Sequence, residues 1–116
     1  MKPGIDLEVL RRTVGDDPVL MREVIEDFMP AAQAGVGEIR AAVESSAADE
    51  VRLAAHKLKG SASLVGARAL SEVCAALEEA SEEEDWQTIR GLAVQLDDLM
   101  AEIDRAAAAL LRPEAR

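Results

Sequence analysis

The stretch AAHKLKGSASLVGA, residues 54–67, places the one histidine of the chain, His56, inside a helical pattern of apolar residues. Each residue of an α-helix turns by about 100°, so residues three and four apart share a face. Six apolar residues fall on one such face: Val51, Ala54, Ala55, Leu58, Ala62 and Val65. His56 lies about 160° from Leu58 around the same helix. The stretch therefore predicts a helix from about residue 49 to 64 or 65, ended by Gly66, with a buried stripe and an outward-facing imidazole.

Two further helices are predicted on the N-terminal side of this stretch. The segment DLEVLRRTV forms a short helix in which Asp6 is the N-cap and Gly15 follows the last residue. In the following GDDP, Asp17 is the N-cap and Pro18 the first residue of a second helix. Its apolar residues keep helical spacing well beyond Pro30. The alternatives are one helix bent at this proline or two helices, and we favour the first.

Two more helices are predicted on the C-terminal side. A fourth begins near Ala67 and ends in the acidic run SEEED, residues 81–85, and a fifth begins near Asp85. Only 2% of the residues are aromatic, and the many Ala, Leu and Val residues suit closely packed helices better than sheets. The sequence therefore predicts an all-α fold, an antiparallel four-helix bundle with a short extra N-terminal helix. We expect residues 1–116 to form a single domain.

The overall charge and hydropathy exclude several classes of protein. A formal net charge of −10 argues against binding to nucleic acid or to anionic membranes, both of which need basic surface. No apolar run approaches the roughly 20 residues that cross a bilayer. Asp6 and Glu8 near the N-terminus argue against a signal peptide, so we expect a cytoplasmic protein. The single cysteine, Cys74, has no disulfide partner and lies in an apolar helical pattern, which favours a buried core residue over a redox role.

The histidine lies in a segment without acidic residues. Residues 51–71 contain no Asp or Glu but hold four basic residues, Arg52, Lys57, Lys59 and Arg68. Lys59 is either a solvated charge or a cation that neutralises an anion on the imidazole. Gly60 costs about 0.5–1 kcal/mol in a helix relative to Ala, so it is either tolerated or leaves room for a surface that approaches the ring. Glu78 is either a solvated carboxylate or the acceptor that holds the second ring nitrogen. These alternatives stay open on the residues alone.

The same stretch resembles the signature of histidine phosphotransfer (HPt) domains. That signature reads His, any residue, Leu-Lys-Gly-Ser, and then small residues up to Gly-Ala. The resemblance continues in LSEVCAALEEA and in DPVLMREVIEDFMP, which is similar to the helix before the signature, so it covers most of the chain. One departure is Ala62, where the family often has a second serine. Because this position falls on the buried stripe, we expect alanine to be tolerated there.

The resemblance implies a phosphocarrier with the HPt fold, a four-helix bundle with a short extra N-terminal helix. His56 would accept a phosphoryl group from the aspartyl-phosphate of one response-regulator receiver domain, which can belong to a hybrid histidine kinase. It would pass the group to another receiver in a two-component phosphorelay, without kinase activity of its own. By motif position, Lys59 would neutralise the phosphate, Gly60 would give clearance to the receiver, and Glu78 would orient the imidazole. The resemblance implies no cofactor for this chain, because the Mg²⁺ belongs to the partner receiver.

A second interpretation is a non-catalytic helical adaptor, a degenerate HPt domain that binds a signalling partner without chemistry. It predicts that His56 can be replaced without loss of binding. A metal-binding bundle is disfavoured by ligand count, since His56 and Cys74 lie on different predicted helices. We expect a monomer in which Leu53 and Leu64 are candidates for docking a receiver helix. The final LLRPEAR, residues 110–116, favours a standalone protein.

Overall fold

The fold consists of five α-helices in the residues that the structure describes, which are residues 4–111 of a computed structural model. The helices are α1 (Leu7–Val14), α2 (Pro18–Glu44), α3 (Ala48–Leu64), α4 (Arg68–Glu82) and α5 (Trp86–Leu111). No strand occurs in this part of the chain, which confirms the predicted all-α class. None of these five helices is long and apolar enough to cross a membrane. Most of the C-terminal segment LLRPEAR, residues 112–116, lies outside the described residues.

The first two helices begin at the predicted caps. The Asp6 carboxylate accepts a hydrogen bond of 3.0 Å from a backbone N–H of the first turn of α1. Gly15, with a φ of 84°, follows the last residue of that helix. Asp17 accepts two such bonds at the start of α2, and Pro18 is its first residue. These contacts pair N–H groups that have no partner inside a helix, so they place the helix ends.

Helix α2 continues through Pro30 without a break, as favoured from the sequence. Pro30 is exposed, so the backbone carbonyl that loses a partner there can be solvated. The helix is held instead by the packing of its inner face. The buried residues of that face are Ile25, Phe28, Ala32, Gly35, Val36, Ile39 and Ala42. A Cβ on Gly35 would lie 3.4 Å from a methyl group of Leu58, so this glycine permits close approach of α3.

The four long helices contact one another in a closed ring. Helix α3 contacts α2 and α4, α4 contacts α5, and α5 contacts α2. The largest side chains that are fully buried between them are Ile25, Ile39, Leu70, Leu77, Ile89, Leu96 and Ile103. Cys74 has no exposed surface, which confirms its predicted place in the core. The ring leaves the outer face of α3 uncovered along the middle of the helix.

Helix α1 is fastened to the turn between α3 and α4. The backbone N–H of Asp6 donates to the carbonyl of Gly66 at 2.9 Å, and the Thr13 hydroxyl donates to the carbonyl of Leu64 at 3.0 Å. Gly66 has a φ of 74°, and a Cβ there would lie 2.5 Å from the carbonyl oxygen of Asp6. Glycine is therefore required at this turn for both conformation and space. The same positive φ ends α3 just before Gly66, where the backbone N–H of Ala67 donates to the carbonyl of Ala62 at 2.9 Å.

Candidate functional site

The buried stripe of α3 directs His56 away from the core. Its six predicted members are all at most 7% exposed: Val51, Ala54, Ala55, Leu58, Ala62 and Val65. The side chain of His56, on the opposite face, is 69% exposed. This confirms the direction that the helical period predicts for the imidazole. His56 is the single histidine of the chain, so its imidazole is the one histidine ring that could act as a nucleophile, and it is in contact with solvent.

Glu78 on α4 holds one ring nitrogen of this histidine. Its Oε1 lies 3.1 Å from His56 Nδ1, and the Glu78 side chain is only 18% exposed. A carboxylate at this distance stabilises the ring with a proton on Nδ1. In the neutral ring, Nε2 then carries the lone pair. Of the two interpretations of Glu78, the structure favours an acceptor for the ring over a solvated carboxylate.

Lys59 contacts the same carboxylate from the other side. Its Nζ lies 2.6 Å from Glu78 Oε2. That oxygen is shielded from solvent, so its charge is balanced by the ammonium group of Lys59 and not by water. Lys59 was predicted to lie beside His56, but its contact with Glu78 was not predicted. The structure thus joins three of the four predicted site residues in one cluster of an imidazole, a carboxylate and an ammonium group.

The carboxylate of this cluster is stabilised in its ionised form. Burial raises the pKa of Glu78, but its contacts with Lys59 and His56 outweigh that effect and hold the pKa below its usual value. Glu78 is therefore negatively charged at neutral pH. A charged acceptor binds the Nδ1 proton more strongly than a neutral one does.

Gly60 lies one turn after His56 on the outer face of α3. A Cβ at this position would meet no atom within 4 Å, so the space beside the ring is open. Leu53 and Leu64 are 57% and 56% exposed on the same outer side of α3, one on each side of Gly60 along the helix. The fourth predicted site residue therefore borders the cluster without contacting it. Its lack of a side chain is not required by packing within residues 4–111.

The surface around His56 carries less positive charge than the sequence of residues 51–71 alone indicates. Lys57 pairs with Glu38 of α2 at 3.3 Å, and Lys59 pairs with Glu78 of α4. Both carboxylates come from outside residues 51–71, because the neighbouring helices carry them to α3. The expected surplus of cations at the site is therefore partly neutralised by these two ion pairs.

Cys74 lies on α4, one turn before Glu78, but cannot act as a nucleophile in the folded protein. Burial, followed by the charge of Glu78, raises the pKa of its thiol to about 12, against a smaller opposing effect of Lys59. Within residues 4–111, no group of three or more His, Cys, Asp or Glu side chains is arranged to hold a metal ion. Of Cys74 and His56, it is therefore the imidazole that solvent can reach.

Comparisons with known proteins identify a family and a similar fold. The family model for the Hpt domain matches residues 23–106 of the chain. Among solved structures, the chain is similar to histidine-containing phosphotransfer protein B from Pseudomonas aeruginosa PAO1, with a TM-score of 0.86 and 22% sequence identity. That match covers 99% of this chain and 100% of the other, and it is a likeness of fold. No curated protein matches the sequence significantly.

Proposed function

Since the chain belongs to the Hpt domain family and has a histidine phosphotransfer role in phosphorelays, we propose that His56 is the residue that carries the phosphoryl group. The observation that supports this assignment is the exposed imidazole whose Nδ1 is held by Glu78 at 3.1 Å. His56 is also the single histidine of the chain. The donor and acceptor are receiver domains, with which Hpt domains exchange phosphoryl groups.

In the proposed reaction, Nε2 of His56 attacks the phosphorus of the aspartyl-phosphate of a receiver. A nitrogen–phosphorus bond forms, the bond between phosphorus and the aspartyl oxygen breaks, and the aspartate leaves as a carboxylate. The reverse sequence on a second receiver regenerates the free imidazole. The Nδ1 proton stays on the ring throughout, and Glu78 stabilises the positive charge that develops there.

Lys59 has two uses in this proposal. In the unphosphorylated domain it neutralises Glu78 Oε2 at 2.6 Å. Because it lies one turn from His56 on the same side of α3, its flexible side chain can also reach toward a phosphoryl group on Nε2. The transition state of phosphoryl transfer is rich in negative charge, so a cation in this place lowers its energy.

The open surface at Gly60 is where the receiver would approach. The absence of a side chain allows the active-site loops of the receiver to reach His56, and the exposed Leu53 and Leu64 provide apolar contacts on either side. We expect the receiver to supply the Mg²⁺ of the reaction, so this domain needs no cofactor of its own. Transfer would then require only that the two surfaces fit closely enough to bring Nε2 and phosphorus into line.

Several finer features belong to the same proposal. The five helices would form an antiparallel four-helix bundle with α1 as the extra helix, which the closed ring of contacts among α2, α3, α4 and α5 supports. Residues 1–116 would be one HPt domain without kinase activity. A monomeric state and a cytoplasmic location stay predictions from the sequence.

The substitution His56→Gln tests the central assignment. We expect it to abolish uptake of labelled phosphate from a phosphorylated receiver while the helical circular dichroism stays unchanged, because the side chain is exposed and its loss removes no core contact. Lys57→Gln is a matched control, since it replaces an adjacent exposed residue of the same helix. Full transfer by the His56 variant would refute the assignment. Receiver binding and signalling that both persist without transfer would instead indicate the adaptor.

A further inference from the structure

A second polar contact joins α3 to α4 along the same edge as the His56 cluster. The hydroxyl oxygens of Ser63 and Ser71 lie 2.9 Å apart. Ser63 follows His56 by seven residues, and Ser71 precedes Glu78 by seven. Seven residues are nearly two helical turns, or about 10 Å along the axis. Ser63 therefore lies on the same face of α3 as His56, and Ser71 on the same face of α4 as Glu78. Both the serine pair and the His56–Glu78 pair therefore form in the same alignment of the antiparallel helices α3 and α4.

The pairing between these two hydroxyls differs from that of other serines in the helices. Ser45 and Ser81 each donate to the carbonyl four residues earlier, at 3.0 and 2.6 Å, which is the usual contact of a serine in or at the end of a helix. Ser63 and Ser71 instead face each other across two helices. Their hydrogen bond therefore depends on the position of α4 relative to α3, whereas those of Ser45 and Ser81 do not.

The contacts between the serine pair and the His56 cluster are apolar. Between Ser71 and Glu78, α4 presents the buried Cys74 and Leu77 to the core. Apolar contacts of this kind hold the two helices together but involve no donor–acceptor geometry. A hydrogen bond between hydroxyls weakens outside about 2.5–3.0 Å. The serine pair thus adds a directional contact between α3 and α4 to the apolar packing.

We propose that Ser63 and Ser71 are positioning residues, whose hydrogen bond fixes the register of α4 against α3 and so keeps Glu78 opposite His56. They act through Glu78 and do not contact the reacting group. Their effect on phosphoryl transfer rests on the proposed role of His56. Their effect on the orientation of the imidazole does not, and it can be measured without phosphate.

The nitrogen-15 spectrum of the imidazole tests the proposal directly. In tag-free protein His56 is the single histidine, so its two ring nitrogens report which of them carries the proton. We expect Ser63→Ala and Ser71→Ala to move both signals toward those of a free imidazole. We also expect each variant to slow transfer from a receiver by about two- to fivefold. The double variant should behave like either single one, because the bond is lost once.

Two further variants separate positioning from general stability. Ser45→Ala removes a hydroxyl–carbonyl bond at the end of α2 and should leave the His56 signals in place. Ser71→Thr keeps the hydroxyl and should keep the wild-type spectrum. The proposal is overturned if the Ser63 and Ser71 alanine variants leave the ring signals unchanged, or if Ser71→Thr moves them as far as Ser71→Ala. Changed signals support it even where His56→Gln shows that the histidine carries no phosphate.

Discussion

Replacing Gly60 with glutamine should make the protein more stable and less active at the same time. Gly60 lies inside α3, and a Cβ there meets no atom within 4 Å, so the new side chain fits without strain. Removing a glycine from a helix interior gains about 0.5–1 kcal/mol. With an unfolding entropy of about 2.1 cal/mol/K per residue, this gain raises the Tm by about 2–4 °C for a chain of this length.

Transfer should fall because the same side chain occupies the approach to the ring. Forcing a bulky group into a packed contact costs about 1–3 kcal/mol, which corresponds to a loss of about 5- to 160-fold in the transfer rate. The assay compares labelled phosphate transfer from a receiver with thermal unfolding of the same samples. Gly91→Gln on α5 is the matched control, since Gly91 is also an exposed helical glycine whose Cβ would meet no atom within 4 Å. The reasoning is refuted if the Gly60 variant transfers phosphate as fast as the Gly91 variant.

Four further outcomes follow from the site and its surroundings. Glu78→Ala should slow transfer roughly tenfold without stopping it, because the imidazole of His56 loses a charged acceptor; an unchanged rate would return Glu78 to a solvated role. The pKa of Glu78 is lower in the folded state than in the unfolded state. The ionised carboxylate therefore stabilises the fold above the usual carboxyl pKa, and this stabilisation is lost as the pH falls through the lowered pKa. The free energies of unfolding in urea of the wild type and of Glu78→Gln should therefore differ near neutral pH and converge in acid. Cys74 should resist thiol reagents until the protein unfolds, since it is buried and its pKa is raised to about 12; rapid labelling of native protein would contradict this. Gly66→Ala should destabilise the fold by roughly 1–3 kcal/mol, because its φ is 74° and the Cβ would lie 2.5 Å from Asp6; an unchanged urea midpoint would show that the turn can relax.

The helix boundaries were predictable because local residues mark them. Asp6, Asp17 and Pro18 have strong preferences for helix starts, and Gly15 and Gly66 for the residues just beyond helix ends, whatever the rest of the fold does. Helices α3 and α4 begin without a side-chain cap, yet their starts lie within a residue of the predicted positions. The outward direction of His56 was predictable for a similar reason, since the helical period alone sets the angle between residues of one helix.

The contacts between helices were not predictable in the same way. The Lys59–Glu78 ion pair and the Ser63–Ser71 bond depend on how far α4 is shifted along α3. Apolar faces built from Ala, Leu and Val fit together in several such registers, so composition does not select one. The pairing of Lys57 with Glu38 could not be predicted for the same reason. The partial neutralisation of the basic segment, which depends on this pair, could therefore not be predicted either.

If His56 carries the phosphoryl group as proposed, the exposure of its imidazole would limit how long the domain stays phosphorylated. With 69% of the side chain in contact with solvent, a phosphoryl group on Nε2 would be open to water and to hydrolysis of the nitrogen–phosphorus bond. The lifetime of the phosphorylated domain would then be set by the intrinsic rate at which phosphohistidine hydrolyses. In a cell, the proportion of phosphate delivered rather than wasted would be determined by the abundance of the receiving partner.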